Sequence, residues 1–256
     1  GALIGVAVGL YAVVAGRRVA VVRVFEPAAG AFATVAAVAA GYLMSPVSVY
    51  VATLAGLIVL IPGLTLTVAV TELATRNLVS GTARLVGAAL IFLELGFGVV
   101  VGGQLATLLP SVSLVAQPAP LPAWTEALAL VISPLVLAVI FKARPRDVGW
   151  VAFAAALSFG GSRAGSALLG PQFGVCIGAF LLGAGSNLCA RWLDRPAGVQ
   201  LVPGLMLIVP GSIGFGSVSS FLSNNVVTGV DAAFRAVMIA VALVMGLLLA
   251  NAVVPP

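Results

Sequence analysis

The chain has 256 residues, 62% of them hydrophobic and only 7% charged, where about a quarter are charged in an ordinary soluble domain. No water-soluble fold of this length can hide so much apolar surface, so the sequence reads as an all-α polytopic membrane protein. The net charge of +5 comes from twelve basic residues scattered at the ends of apolar runs, which argues against a nucleic-acid interface, and the lack of histidine removes the commonest metal ligand and general base.

Apolar runs close to the roughly 20 residues of a bilayer crossing recur along the whole chain. Segment one, 1–16, begins at Gly1 inside such a run, so the chain reads as the ordered core of a longer protein. It has no preceding basic stretch to mark a signal peptide. Segments two and three span 28–45 and 47–76. The third contains Pro62-Gly63, followed by Thr65, Thr67 and Thr71, and is predicted to be broken. Segment four, 84–107, carries Glu94 near its centre. The stretch 108–123 is rich in Pro and small residues and reads as a joint between halves. The predicted organisation is an N-terminal module at 1–110, a linker at 111–123 and a C-terminal module at 124–256.

Segments five to seven cover 124–141, 148–166 and 172–190. The seventh holds both cysteines, Cys176 and Cys189, at a spacing that suits neither a metal knuckle nor a redox pair, so both are expected in the core. Segment eight, 199–224, carries two predicted breaks, Pro203-Gly204 and Pro210-Gly211, with Ser212, Ser217, Ser219 and Ser220 after the second. Asn224 and Asn225 are expected to cap or turn the chain. Segment nine spans 232–253, and Trp124, Trp150 and Trp192 at segment ends read as interfacial anchors.

Basic residues set the orientation. Arg17, Arg18, Arg23, Arg76, Arg84, Lys142, Arg144, Arg146, Arg191 and Arg195 all follow odd-numbered segments and share one side, which is then cytoplasmic. The other side receives Arg163 and Arg235 alone.

Sliding the chain on itself by 148 positions aligns its halves. Gly30-Ala31-Phe32 falls on Gly178-Ala179-Phe180, Gly56-Leu57 on Gly204-Leu205, and Pro62-Gly63 on Pro210-Gly211. Val79 and Gly81 match Val227 and Gly229, and Gly98 matches Gly246. An odd number of segments separates each element from its copy, so the halves are expected to be inverted-topology repeats of about five helices, as in many secondary transporters. Segment five has no partner in the first half, and a tenth helix is expected before Gly1.

Proline lacks an N–H and glycine tolerates unwound backbone, so Pro62-Gly63 and Pro210-Gly211 are the prime candidate sites. Backbone freed inside hydrocarbon survives where it is buried or lines a cavity, and a helix restarting there points free N–H groups into it. Pro62, Gly63, Thr65 and Thr67, with Pro210, Gly211 and Ser212, are the expected substrate-binding residues. The structural alternative is a packing kink, with hydroxyls bonded back to their own helices. Glu94 is a lone intramembrane carboxylate, costly to ionise, and reads as a proton-coupling acid or a counter-charge; Ala242 stands at the aligned position. Glu72 lies four residues before Arg76, the favourable order for a helical ion pair, and Asp231 and Arg235 share that spacing. Glu72, Arg84 and Asp231 complete the coupling or charge candidates.

At Pro62-Gly63-Leu64-Thr65-Leu66-Thr67 the sequence resembles the threonine/serine exporter (ThrE) family. The resemblance continues through Glu72-Leu73, Leu78-Val79-Ser80-Gly81-Thr82-Ala83-Arg84-Leu85 and Gly96-Phe97-Gly98. The second half, with Leu201-Val202-Pro203-Gly204 and Val209-Pro210-Gly211-Ser212, resembles that family's C-terminal five-helix module. The resemblance implies a multi-pass bacterial inner-membrane exporter of threonine and serine, driven by the proton gradient, with ten helices and a larger N-terminal region. It implies a small-molecule substrate, the bilayer and a proton as partners, allows a homo-oligomer, and brings no cofactor. A dicarboxylate such as succinate is the alternative substrate. An intramembrane enzyme is the remote one, since the sequence holds no histidine, metal-ligand cluster or paired catalytic carboxylates.

Overall fold

The computed structural model describes residues 1–16, 22–43, 48–108, 122–193, 198–222 and 225–255. Arg17, Arg18, Arg195, Asn224 and nearly all of the linker lie outside the described residues. Every regular element among the described residues is helical. In chain order these are α1 (Ala2–Ala15), α2 (Phe25–Leu43), α3 (Val49–Leu57), α4 (Gly63–Ala74), α5 (Leu78–Ala106) and α6 (Ala123–Ile140). A 3-10 turn at Pro145–Asp147 leads into α7 (Val148–Leu169), followed by α8 (Pro171–Leu193), α9 (Gly198–Met206), α10 (Gly211–Leu222) and α11 (Val226–Val253).

Among the described residues, four stretches are long and apolar enough to cross a membrane: Leu78–Ala106, Pro171–Trp192, Gln200–Leu222 and Val226–Val253. Shorter apolar helices accompany them at Ala2–Ala15, Gly63–Ala74 and Trp124–Ile140. A helix suits hydrocarbon because it satisfies its own backbone N–H and C=O groups. Large apolar side chains cover the outside, with Val79 87% and Leu168 81% exposed, which fits contact with lipid and not with water.

The chain divides into two compact units that interleave along the sequence. One comprises Gly1–Pro62, Leu85–Pro120 and Gly211–Phe234; the other comprises Gly63–Arg84, Leu121–Pro210 and Arg235–Pro256. The chain changes unit at Pro62/Gly63 and again at Pro210/Gly211, the two paired breaks.

In the first unit, α2 buries Ala29, Ala33 and Ala37 along one ridge, and its neighbouring face meets α5 closely at Gly30, where an added Cβ would stand 2.5 Å from the Leu95 carbonyl. Gly98 of α5 lies on the Pro27 carbonyl, and a Cβ added at Gly102 would come within 2.5 Å of the Ala31 carbonyl. Phe92, Leu95 and Phe215 join Ile4, Leu57 and Ile61 in the same core. The second unit also packs helices through glycines. A Cβ at Gly161 of α7 would stand 3.1 Å from Gly178 Cα, and one at Gly165 would stand 2.9 Å from Gly174 Cα. Helices in lipid gain no hydrophobic term on pairing, so van der Waals contact through such four-residue glycine spacings holds them together. On α8, Asn187 also donates to Asn251 Oδ1 at 2.9 Å and to the Val254 carbonyl at 2.7 Å.

Three expectations need correction. Pro203 and Gly204 lie inside α9, so no break occurs there. A Cβ at Gly204 would meet the Leu182 side chain at 2.5 Å and the Ala154 carbonyl at 3.3 Å, so this glycine serves close packing and not unwinding. Cys176 and Cys189 are free and only half-buried on α8. Arg84 belongs to α5, which starts at Leu78, because the polar Ser80-Gly81-Thr82 run is helical and not a connection.

Candidate functional site

Pro62-Gly63 and Pro210-Gly211 both interrupt helices, and they do so by the same construction. Leu60 N and Ile61 N both donate to the Leu57 carbonyl, at 2.8 and 3.2 Å. Ile208 N and Val209 N both donate to the Leu205 carbonyl, at 3.0 Å each. Two amides thus converge on one carbonyl, the next residue is a proline with no N–H, and the helix restarts at the glycine. Pro62, Gly63, Pro210 and Gly211 are all buried, and the first amides of α4 and α10 have no partners within their own helices.

After the first break, the threonines divide. Thr67 Oγ1 donates to the Gly63 carbonyl at 3.2 Å and Thr71 Oγ1 to the Thr67 carbonyl at 2.9 Å, so both bond back to α4. Thr65 is half-buried, and its hydroxyl makes no hydrogen bond among the described residues.

After the second break, the first unit contains a cavity of about 550 Å³. Tyr50 of α3, Ser212, Gly216, Ser219 and Ser220 of α10, and Asn225 and Thr228 beside the start of α11 line it, and among the described residues no charged side chain does. Ser212 and Ile213 belong to the first turn of α10, so the positive end of that helix dipole faces the cavity. Ser220 Oγ donates to the Gly216 carbonyl at 2.8 Å and keeps its oxygen able to accept. The Tyr50 hydroxyl stands over Gly216, where an added Cβ would meet it at 3.0 Å. Of the sequence candidates, Ser212 lines this cavity directly. Tyr50 and Thr228 were missed, because an aromatic at a segment start looks like an interfacial anchor and Thr228 precedes the predicted segment.

The α4–α5 and α10–α11 corners also match, 148 positions apart. Asn77 N donates to the Glu72 carbonyl at 2.8 Å, and Asn225 N to the Ser220 carbonyl at 2.9 Å. Gly81 N reaches the Asn77 carbonyl and Gly229 N the Asn225 carbonyl, both at 3.0 Å. A Cβ at Gly81 would meet Leu73 at 2.8 Å, and one at Gly229 would meet Phe221 at 2.8 Å.

The charged candidates are placed as follows. Glu72 pairs with Arg84, Nε to Oε1 at 2.9 Å, and not with Arg76. Arg76 has left α4 and takes φ 65°, which removes the helical spacing that the expected pair needs. Glu94 is exposed in the middle of α5 and makes no hydrogen bond or ion pair among the described residues. Asp231 is exposed on α11, next to the cavity-lining Ala232, and does not line the cavity itself.

A family model described as threonine/serine exporter, ThrE, matches residues 126–253, and a second threonine/serine exporter model matches residues 1–106. No curated protein and no solved structure matches the chain. The paired broken helices, the apolar exterior and these matches lead to one conclusion: this multi-pass membrane protein belongs to the threonine/serine exporter family, a family of transporters and not of enzymes.

Proposed function

We propose that the chain exports small hydroxy amino acids, threonine and serine, by alternating access in the bacterial inner membrane, in exchange for protons. The observation that carries this reading is the uncharged, hydroxyl-lined cavity at the start of α10. A zwitterion has no net charge to neutralise. Its carboxylate suits the free amides and positive dipole end at Ser212 and Ile213. Ser219, Ser220 and Tyr50 supply donors and acceptors for its ammonium and side-chain hydroxyl. At about 550 Å³ the cavity falls within the usual range for small-molecule sites. A dicarboxylate would call for cations that its lining lacks.

Two inverted repeats fit this reading. What supports them is local: both breaks close on corresponding carbonyls, and both corners use corresponding turn bonds and glycine contacts. Pro62, Gly63, Thr65 and Thr67 are then the first-half counterpart of the α10 site, with Thr65 offering the free hydroxyl. Glu94 is the proton-coupling acid, because an unpaired carboxylate midway along an apolar span is costly unless function requires it.

Counterflow of labelled threonine in proteoliposomes tests the substrate. Threonine and serine exchange is expected, with no competition by succinate; absence of any exchange with small amino or carboxylic acids sinks the proposal. For coupling, Glu94→Gln is expected to keep threonine–threonine exchange and to lose its response to a pH gradient. An unchanged response removes Glu94 from that role.

A further inference from the structure

A second cavity, of about 500 Å³, lies in the other compact unit and has the opposite chemistry. Lys142, Arg144 and Arg146 line it, together with Trp150 and Gln200. None of the three cations makes an ion pair among the described residues, whereas Asp147, which also lines the cleft, is itself engaged. Gln200 is only 3% exposed, yet its amide bonds to no protein group among the described residues. The polar atoms of that amide are not themselves fully buried, so the little surface this residue keeps is a donor and acceptor open to the cleft. Two helix N-termini meet the same cleft, α7 through Asp147 and Trp150 and α9 through Gly198 and Gln200.

The backbone carries a separate mark. Lys142 follows the end of α6 with φ 51°, its N–H donating to the Val139 carbonyl and the Ala143 N–H to the Ala138 carbonyl. This is the helix-terminating motif in which glycine is the usual left-handed residue. A lysine held there puts an ammonium beside the cleft at the expense of backbone strain.

We propose that this cleft binds a phosphate group. Two guanidiniums, an ammonium and a carboxamide offer more donors than the two oxygens of a carboxylate can accept, and a tetrahedral phosphate matches them. Trp150, half-buried at the start of an apolar helix, is the side chain expected at headgroup depth. The phosphate comes either from an anionic membrane lipid or from a soluble phosphate compound. The site stands apart from the transport reading and does not depend on which solute crosses.

The test uses the purified full chain in zwitterionic detergent, with thermal unfolding as readout, titrated with phosphatidylglycerol, with phosphatidylcholine, or with inorganic phosphate. Saturable stabilisation by phosphatidylglycerol alone assigns a lipid headgroup. Saturable stabilisation by inorganic phosphate assigns a soluble phosphate, and either result supports the site. The double variant R144Q/R146Q is expected to weaken the effect at least tenfold, and Q200L, which changes no charge, several-fold. K142G is expected to unfold at a higher temperature without ligand and yet to bind more weakly, which a purely structural lysine would not do. Equal stabilisation of wild type, R144Q/R146Q and Q200L, or a shift that never saturates, overturns the proposal.

Discussion

The α4–α5 corner and the α10–α11 corner share one backbone construction and differ in what fills it. In the first, Glu72 and Arg84 close an ion pair across the turn. The residues 148 positions on are Ser220 and Ala232, and there the space stands open as the hydroxyl-lined cavity. The second corner is held differently: Ser217 Oγ donates to the Gly229 carbonyl at 2.7 Å, a bond that Ala69, its first-half counterpart, cannot make. One corner is locked with charge, and the other with a buried hydroxyl that leaves the neighbouring volume free. On the proposed reading, function resides in the difference between the two corners and not in what they share.

The largest expected effect comes from erasing that difference. Ser220→Glu together with Ala232→Arg builds the first corner's pair into the second and fills the cavity. Threonine counterflow is expected to fall at least tenfold, which corresponds to about 1.4 kcal/mol or more of lost productive interaction. Gel filtration and thermal unfolding check that the variant still folds. Near-normal counterflow in a folded variant would falsify the assignment of this cavity to substrate.

A middle-sized effect tests the hydroxyl lock. Ser217→Ala keeps the volume nearly constant and removes one buried hydrogen bond, for an expected loss of about 1 kcal/mol in stability. Tyr50→Phe, by contrast, leaves the fold intact and removes a hydroxyl from the cavity. Its expected signature is several-fold weaker apparent affinity for threonine with unchanged thermal unfolding. If the two variants exchange signatures, the roles given to lock and lining are wrong.

These corners also show what can be read from residue order and what cannot. Pro62-Gly63 and Pro210-Gly211 are legible because proline's missing N–H and glycine's freedom act on the residue's own backbone. Pro203-Gly204 carries the same letters, yet the helix continues, because Gly204 is needed where α9 meets Leu182 and Ala154. The Glu72–Arg76 pair follows from helical spacing and fails because Arg76 has already left the helix, which frees Glu72 to reach Arg84 twelve residues on. The cavity needs Tyr50, a residue of another segment, so no local pattern announces it. For Glu94, the cost of the isolated charge is written in the sequence, but no protein group that would compensate it is.

The smallest effect concerns the ion pair itself. Arg84 is 53% exposed and Glu72 22%, so solvent and headgroups screen the attraction, and such pairs contribute about 0–1 kcal/mol. The arrangement is nonetheless asymmetric, because Glu72 Oε2 is buried with no hydrogen-bond partner among the described residues. Among the described residues Arg84 alone compensates this carboxylate, so Arg84→Ala leaves it uncompensated, whereas Glu72→Gln with Arg84→Ala removes the charge as well. The single variant is therefore expected to be less stable than the double variant, by a few tenths to about 1 kcal/mol, in thermal unfolding in detergent. Equal stability of the two would mean that Glu72 already reaches water, and that the first corner is closed by its Leu73–Gly81 contact and not by charge.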